Sequence, residues 1–190
     1  MPENKPRCTW AKGPDMEHYH DTLWGVPTTD DALLYEFLLL EAFQAGLSWA
    51  IILKKRENFR KAFDGFDPEK IAEYGEDKVQ QLLQDAGIIR SRSKILGAIQ
   101  NARCFLAIQK EFGSFAKYLY SFTGGHPVTN TTDRFSTTTP LSDTMSKDLK
   151  KRGMRYMGSV TLYSYLQAVG VVNDHETTCF CYQQPREPGW

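Results

Sequence analysis

The chain lacks the features of a membrane-bound or exported protein. It has no run of about 18 or more apolar residues, and its first residues contain no apolar segment of the signal-peptide kind. Its 23 basic and 23 acidic residues cancel, so no overall charge favours a polyanionic partner. Cysteine is scarce, with four in 190 residues. We therefore expect a cytoplasmic protein, without a membrane partner, whose cysteines are thiols or metal ligands and not disulfides.

Internal repeats, low-complexity blocks and alternating strand patterns are also absent, whereas helical spacing of apolar residues recurs along the chain. Helices are predicted over about 31–45, from 48 past 59, and over 68–74, 76–86, 93–111, 142–152 and 160–169, with a short one after Ser114. The Thr-rich segment up to Pro140 is expected to be a surface loop. The sequence therefore predicts an all-α monomer with one domain over 1–190. Its ordered core spans about 7–182, as one body or two lobes, and 183–190 form a polar tail.

One acid, Glu41, stands inside an apolar helical run. In a helix it shares a face with Phe37, and burying an unpaired charge is costly unless a partner or a raised pKa relieves it. No Lys or Arg lies within a helical turn of it. Because Gly46 is expected to end the helix, Trp49 can stand beside the acid, and with Gln44 they form a pocket for a flat polar ligand. The alternative is a Glu on a solvated helix face, and periodicity alone leaves both open.

A candidate metal site is formed by cysteine and histidine residues near the two chain ends: Cys8, His20, His175 and Cys179. Two thiolates and two imidazoles match the tetrahedral ligand set of structural zinc, and the spacing of His175 and Cys179 puts both on one face of a helical turn. Such a site would join the chain ends and leave no position for water. Cys181 competes with Cys179 as a ligand. The alternative is two buried thiols and two hydrogen-bonded histidines.

The segment 82–95 is predicted to be a helix-hairpin-helix motif. Gly87 would supply the left-handed conformation that ends the first helix, and Ser91 or Ser93 would cap the second. The cations around that second N-terminus are Arg90, Arg92 and Lys94. Free N–H groups beside cations can hold DNA phosphate without reading sequence. The second glycine usual in such hairpins is absent, and an ordinary helical corner carries similar residues.

Basic residues also cluster outside the hairpin. The two further clusters are Lys54, Lys55, Arg56 and Arg60, and Lys147, Lys150, Lys151, Arg152 and Arg155. Each cluster alone is more often a solvated helix face, but several together favour a phosphate-binding surface.

Longer motifs, in the same order along about residues 7–182, resemble the 3-methyladenine DNA glycosylase I family. Examples are Tyr19-His20-Asp21-x-x-Trp24-Gly25-Val26-Pro27 and Leu40-Glu41-x-x-Gln44-Ala45-Gly46-Leu47-Ser48-Trp49, and others cover 7–10, 53–57, 85–90, 146–153, 167–168 and 172–175. The resemblance implies a helix-hairpin-helix glycosylase fold, with one structural zinc ion joining the chain ends. It also implies a monofunctional enzyme that hydrolyses the N-glycosidic bond of 3-methyladenine in alkylated double-stranded DNA, for base-excision repair.

The resemblance also assigns roles to residues. It places Cys8, His20, His175 and Cys179 on zinc, and Glu41, Tyr19, Trp24 and Trp49 in the base pocket. Glu41 would recognise the cationic base after the nucleotide is flipped out of the duplex. Gly46 and Leu47 would fill the space that the base leaves.

The chain departs from the family pattern at three positions. Met16 stands where the family often has a second tyrosine, Leu23 where it often has an acid, and Met154 where it usually has an aromatic. Methionine still contacts a ring face through its polarizable sulfur, so Met16 is kept among the base-binding residues.

Two other functions remain open from the sequence. The first is a non-catalytic, zinc-stabilised helix-hairpin-helix protein that binds damaged DNA, against which Glu41 argues. The second is a small-molecule enzyme or purine-binding protein, against which the basic hairpin argues.

Overall fold

The computed structural model describes residues 5–131, 136–182 and 189. As predicted, these residues are mostly helical and pack around one apolar core. The α-helices in the described part are α1 Pro14–Thr22, α2 Asp31–Gln44, α3 Trp49–Ala62, α4 Pro68–Ala72, α5 Glu76–Gln84, α6 Arg92–Phe112, α7 Phe115–Ser121, α8 Pro140–Lys151 and α9 Ser159–Ala168. A 3-10 turn, Asp64–Phe66, follows α3. Within the described ranges, no helix is both long enough and apolar enough to cross a membrane.

Helix α2 is the central helix of the fold. It begins at an N-cap, Asp30, whose carboxylate accepts a hydrogen bond from the Ala32 N–H at 2.9 Å. It packs against α3, α6, α7 and α9, and every residue from Leu34 to Phe43 is buried. Of the two positions that the sequence leaves open for Glu41, the structure shows the buried one, with 3% of its surface exposed. Glu41 is buried because neighbouring helices enclose α2 on all sides, and not because it lies on a single apolar face of the helix.

Helix α1 is not predicted by the sequence. Its N-cap is Gly13, which has no side chain to cap the helix, and its residues are mostly polar. Short helices of this kind depend on tertiary contacts. Here Tyr19 and His20 provide them by packing into the core. The Arg7 guanidinium also pairs with Asp21 in the last turn, at 2.7 Å.

The prediction that the chain contains no strand is wrong at one place. Val128–Thr129 (β1) and Val172–Asn173 (β2) pair in parallel, with Val128 opposite Val172. Two residues are too few to produce an alternating pattern in the sequence. The pair fixes the start of the predicted Thr-rich loop beside the C-terminal segment. Residues 132–135 of that loop, and all but residue 189 of the predicted tail 183–190, lie outside the described residues.

Helices α5 and α6 form the predicted hairpin, with Ser91 as the cap of α6. The prediction for Gly87 is wrong, because Gly87 is not in the left-handed region. A Cβ at this position would lie 2.9 Å from Asp85 Oδ1 and 3.2 Å from Asn58 Cβ. Glycine is therefore needed here for close packing of the turn against α3.

Candidate functional site

A cavity of about 700 Å³ lies beside the last turn of α2. All the residues predicted to bind a base line it together: Met16, Tyr19, Trp24, Glu41, Gln44 and Trp49. Helix α1 contributes Met16 and Tyr19, which is why its formation matters for the site. No lysine or arginine of the described chain lines the cavity. The space therefore favours a cationic or neutral ligand over an anion.

Glu41 is one of three acids that line this cavity, with Asp174 and Glu176. Its Oε2 atom is buried and has no hydrogen-bond partner within the described residues. Burial raises the pKa of the carboxyl to about 8, because the charged form loses its hydration. A buried acceptor without a partner is costly, and a ligand that supplies a donor or a positive charge removes that cost.

Aromatic rings form the wall beside Glu41. The Tyr19 ring lies 5.5 Å from the Trp49 ring, and the Trp49 ring stacks on Phe37 at 6.4 Å. The pKa of the Tyr19 phenol is raised well above its ordinary value, mainly by burial and secondly by the nearby charge of Glu41. The Trp49 Nε1–H is a buried donor that lacks a partner in the described structure. The wall thus offers ring faces and one unused donor to a flat ligand.

The turn between α2 and α3 brings Trp49 to the cavity. Gly46 adopts a left-handed conformation with φ of 80°, which other residues rarely adopt. The Leu47 N–H donates to the Gln44 carbonyl at 2.7 Å, and Gln44 Nε2 donates to the Leu47 carbonyl at 2.9 Å. Gln44 therefore lines the cavity, as predicted, but its amide also holds this turn closed.

Trp24 lies between the cavity and the histidines. Its ring meets the His175 ring edge-on at 4.6 Å and stacks on His20 at 6.1 Å. Trp10, which is 37% exposed, meets Trp24 edge-on at 4.9 Å. Trp24 thus contributes to the cavity wall and to the packing around the histidine–cysteine cluster at the same time.

That cluster contains residues from both ends of the chain. The ligand atoms of His20, His175, Cys179 and Cys181 all lie within 4.8 Å of one another, and all four residues are buried. This group could hold a metal ion. Three of its members were predicted as ligands, and Cys181 was the predicted competitor.

Cys8, the fourth predicted ligand, lies beside this group. Its backbone nitrogen is 3.4 Å from His20 Nε2, and its Sγ accepts the Glu176 N–H at 3.3 Å. His20 Nδ1 lies 2.9 Å from Asp21 Oδ1, and His175 Nδ1 lies 2.8 Å from Asn173 Oδ1. Such partners on one ring nitrogen orient the other nitrogen, as they do in metal sites.

The sequence does not predict a polar part of the cavity lining around Asp174. Asp174 lines the cavity and accepts hydrogen bonds from Asn130 at 2.5 Å, from the Tyr163 hydroxyl at 3.0 Å and from Gln167. The motif 172–175 had been matched without a role for its acid. The feature of the sequence that could have indicated a role for Asp174 is its position next to the candidate ligand His175.

Comparison with known proteins decides the family. The family model described as methyladenine glycosylase matches residues 10–182. The chain belongs to this family. It is 47% identical over 180 residues to DNA-3-methyladenine glycosylase 1 of Escherichia coli (strain K12), across 93% of this chain and 96% of that protein. The family predicted from the motifs is therefore confirmed.

Solved structures of the family also share the fold. A crystal structure of 3-methyladenine DNA glycosylase I is 48% identical with a TM-score of 0.89, across 93% of this chain and 100% of that one. A structure of 3-methyladenine DNA glycosylase I from Staphylococcus aureus, which concerns 3-methyladenine recognition, is 34% identical. Its TM-score is 0.90, across 95% of this chain and 98% of that one.

For this methyladenine glycosylase family member, the structure shows which partners the predicted DNA-binding cations have within the protein. The Lys94 ammonium donates to the carbonyls of Phe43 and Ala45, at 2.8 and 2.7 Å, and its contact with phosphate stays a prediction. Arg92 is exposed but pairs with both Glu76 oxygens, at 2.7 and 2.8 Å. Arg90 is exposed on the hairpin.

The other basic clusters are also partly neutralised within the fold. Arg56 and Arg60 pair with the buried Glu36, at 2.5 and 2.9 Å. Arg152 pairs with Glu111 and Asp148, each at 2.6 Å. These three arginines are therefore paired with acids of the fold, and binding of phosphate by these clusters stays a prediction. Of the departures from the family pattern, Met154 is 5% exposed and belongs to the core.

Proposed function

We propose that this protein is a monofunctional DNA glycosylase that releases 3-methyladenine from alkylated double-stranded DNA. The observation that carries the proposal is the buried Glu41 carboxyl, without a partner for Oε2, in a cavity walled by aromatic rings. The names of the relatives point to the same substrate.

Alkylation at N3 gives the adenine ring a positive charge while it is attached to DNA. A base flipped into the cavity would meet Glu41 as a carboxylate, because the cation lowers the cost of ionising this buried acid. Glu41 would also accept a hydrogen bond from an N–H at the edge of the base. Beside neutral adenine, Glu41 would stay protonated below about pH 8, so no ion pair with the base would form. The acid thus selects the alkylated base over the normal one.

The aromatic wall would hold the flat cation by its faces. The aromatic rings are those of Tyr19, Trp24 and Trp49. Each well-placed ring face contributes about 0.5–2 kcal/mol to binding of a cation. Met16 lines the same wall with a thioether, which contacts rings more weakly. The base would then leave with the electrons of the glycosidic bond, and water would add to the sugar carbon.

DNA would be held by the hairpin. The N-terminus of α6 presents backbone N–H groups, and Arg90 adds a positive charge beside them. Arg92, already paired with Glu76, contributes less to binding phosphate. Gly46 and Leu47 would enter the space from which the nucleotide is extruded. Contacts of this kind grip the backbone without reading sequence.

We further propose that Cys8, His20, His175 and Cys179 bind one structural zinc ion. The Sγ atoms of Cys8 and Cys179 each accept a backbone N–H, at 3.3 and 3.4 Å. Two cysteine sulfurs with two imidazoles are a ligand set of tetrahedral structural zinc. When bound, zinc would supply only a cross-link, since protein ligands fill all four positions.

Metal analysis of protein purified without added zinc tests this assignment. We expect one zinc per chain, retained in Cys181→Ser and lost in Cys8→Ser. A folded, metal-free protein would contradict the zinc site. If zinc is retained in Cys8→Ser and lost in Cys181→Ser, the fourth ligand is Cys181 and not Cys8.

The glycosylase proposal is tested by single-turnover release of free 3-methyladenine from alkylated duplex DNA. Glu41→Gln should slow release by about 100-fold, the usual range for loss of one electrostatic contact in a transition state. The matched control is Glu69→Gln, at an exposed position on α4, which should keep the wild-type rate. Tight duplex binding without base release would instead indicate a passive damage-binding protein.

A further inference from the structure

Two lysines connect the turns that face DNA in the proposed function. We call residues 45–48 the α2–α3 turn and residues 85–91 the hairpin turn. From the start of α6, Lys94 Nζ donates to the carbonyls of Phe43 and Ala45 at 2.8 and 2.7 Å. From α3, Lys55 Nζ donates to the carbonyls of Ala86 and Gly87 at 3.0 and 3.1 Å.

The two sets of contacts are reciprocal. Lys94 belongs to α6, which follows the hairpin turn, and it binds carbonyls at the end of α2, which precedes the α2–α3 turn. Lys55 belongs to α3, which follows the α2–α3 turn, and it binds carbonyls after the end of α5, which precedes the hairpin turn. The carbonyls of Phe43 and Ala45 lie at the C-terminus of α2, where carbonyls lack intrahelical partners and carry partial negative charge, so an ammonium there is favourable. The carbonyls that Lys55 binds lie in the hairpin turn itself. Burial lowers the pKa of the Lys94 ammonium, as expected for a cation held partly inside the protein. Asn58 Nδ2 adds a weaker bond to the Gly87 carbonyl, at 3.4 Å.

We infer that Lys94 and Lys55 form a brace that fixes the α2–α3 turn relative to the hairpin turn. Both are positioning residues for base release, and this part of the inference rests on the proposed function. The α2–α3 turn carries Leu47 and leads directly into Trp49, so its position decides where the base-binding wall stands. The hairpin turn decides where the DNA backbone stands. The brace therefore sets the distance between the hairpin turn that would hold the DNA backbone and the cavity that would bind the base.

A brace lysine and a phosphate-binding lysine have different signatures. A phosphate contact changes the dependence of DNA affinity on salt, by about 0.9 in the slope of log K against log salt. A brace lysine leaves this slope unchanged and alters the rate of base release. It also stabilises the α2–α3 turn in the absence of DNA.

The first experiment measures amide hydrogen exchange at Leu47 in the free protein. The Leu47 N–H is hydrogen-bonded within the α2–α3 turn, so it reports opening of that turn. Lys94→Met keeps the length of the side chain and removes its donors, and we expect exchange at least about tenfold faster. The control is Lys110→Met, at an exposed position near the other end of α6, which should exchange like the wild type. Unchanged exchange in Lys94→Met would overturn the brace.

The second experiment compares base release with DNA affinity. Lys94→Met and Lys55→Met should each slow single-turnover release at least about tenfold with an unchanged salt slope, and Lys94→Arg should restore part of the rate. A reduced salt slope with a normal rate would show a phosphate contact and overturn the inference. If Lys94→Met fails to fold, the same measurements of base release and salt slope are made on Lys94→Arg and Lys55→Met. If the wild type releases no base, the proposed function fails, while the exchange experiment still decides the brace.

Discussion

Glu36 and Glu41 lie on the same helix, five residues apart, and both are buried, at 4% and 3% exposure. Glu36 is bound by the guanidinium groups of Arg56 and Arg60. Glu41 has no such cation, and its Oε2 has no partner among the described residues. One acid is thus satisfied by the fold, and the other is left for a ligand to satisfy. The contrast makes Glu36 a control for Glu41.

The two acids should respond oppositely to amidation. The pKa of Glu41 is raised from its ordinary 4.5 to about 8, so between these values the folded protein binds more protons than the unfolded chain. Stability therefore falls as pH rises through this window, by up to about 1.4 kcal/mol per unit, and is constant above it. Thermal unfolding should show Glu41→Gln more stable than wild type at about pH 9 and similar at about pH 4. Glu36→Gln should lose about 1.5–3 kcal/mol at about pH 9, because it disrupts the pairs with arginine. A destabilised Glu41→Gln at high pH would contradict the buried, unpaired carboxyl.

The rate of base release should depend on the ionisation of Glu41. N3-alkylated adenine in DNA is a cation throughout the accessible pH range, so it selects the carboxylate. Since the pKa of Glu41 in the free protein is about 8, kcat/KM should rise with pH below this value and level off above it. Below the pKa the slope should approach about tenfold per pH unit. Glu41→Gln should show a flat profile, and a wild-type profile that is flat from about pH 6 to 9 would refute this role.

The Trp49 ring should matter more than its N–H. Trp49→Ala removes a base-stacking face, worth about 1–3 kcal/mol, so release should slow by roughly 5- to 150-fold. Trp49→Phe keeps a ring and should lose much less. Its stability should not fall through loss of the buried Nε1–H, which has no partner in the described structure. Single-turnover rates and thermal unfolding of both variants test this. Full activity in a folded Trp49→Ala variant would exclude stacking on this residue.

Met16 offers a gain-of-affinity test. Met16→Tyr would place a second aromatic ring at a position that lines the cavity. A cation on its face gains about 0.5–2 kcal/mol, so affinity for alkylated duplex should rise by about 2- to 30-fold. Equilibrium binding to duplexes with and without the lesion measures the effect. Equal gains for both duplexes would show that position 16 does not contact the base.

Arg90 and Arg92 should differ in their salt dependence. Arg90→Ala should lower the slope of log K against log salt by about 0.9, the value for one phosphate contact. Arg92→Ala should change the slope less, because its guanidinium is already bound to Glu76 through two hydrogen bonds. Titrations of duplex binding over a range of salt concentrations compare the two. Equal slopes for both variants would mean that the Arg92–Glu76 pair opens on DNA.

Several features could be predicted from the sequence because they depend on neighbouring residues. The helices follow from apolar spacing and from caps such as Asp30 and Ser91, and α2 ends at Gln44, one residue from its predicted end. The position of Glu41 in an apolar run marks it as a candidate pocket residue, although the sequence leaves a solvated helix face open as the alternative. The order of motifs also predicts the family, which the comparisons confirm.

Only the tertiary structure decided how the charged and polar groups are paired. Lys94 binds carbonyls about 50 residues away in sequence, and Arg92 finds Glu76 across the hairpin. Asp174 accepts hydrogen bonds from two other segments, and Cys181 lies beside His20 from the opposite end of the chain. A charge in a sequence shows no preferred partner, because its strongest contacts form only when distant elements pack together. Glu41 has no cation close to it in sequence, and among the described residues folding leaves its Oε2 without a partner.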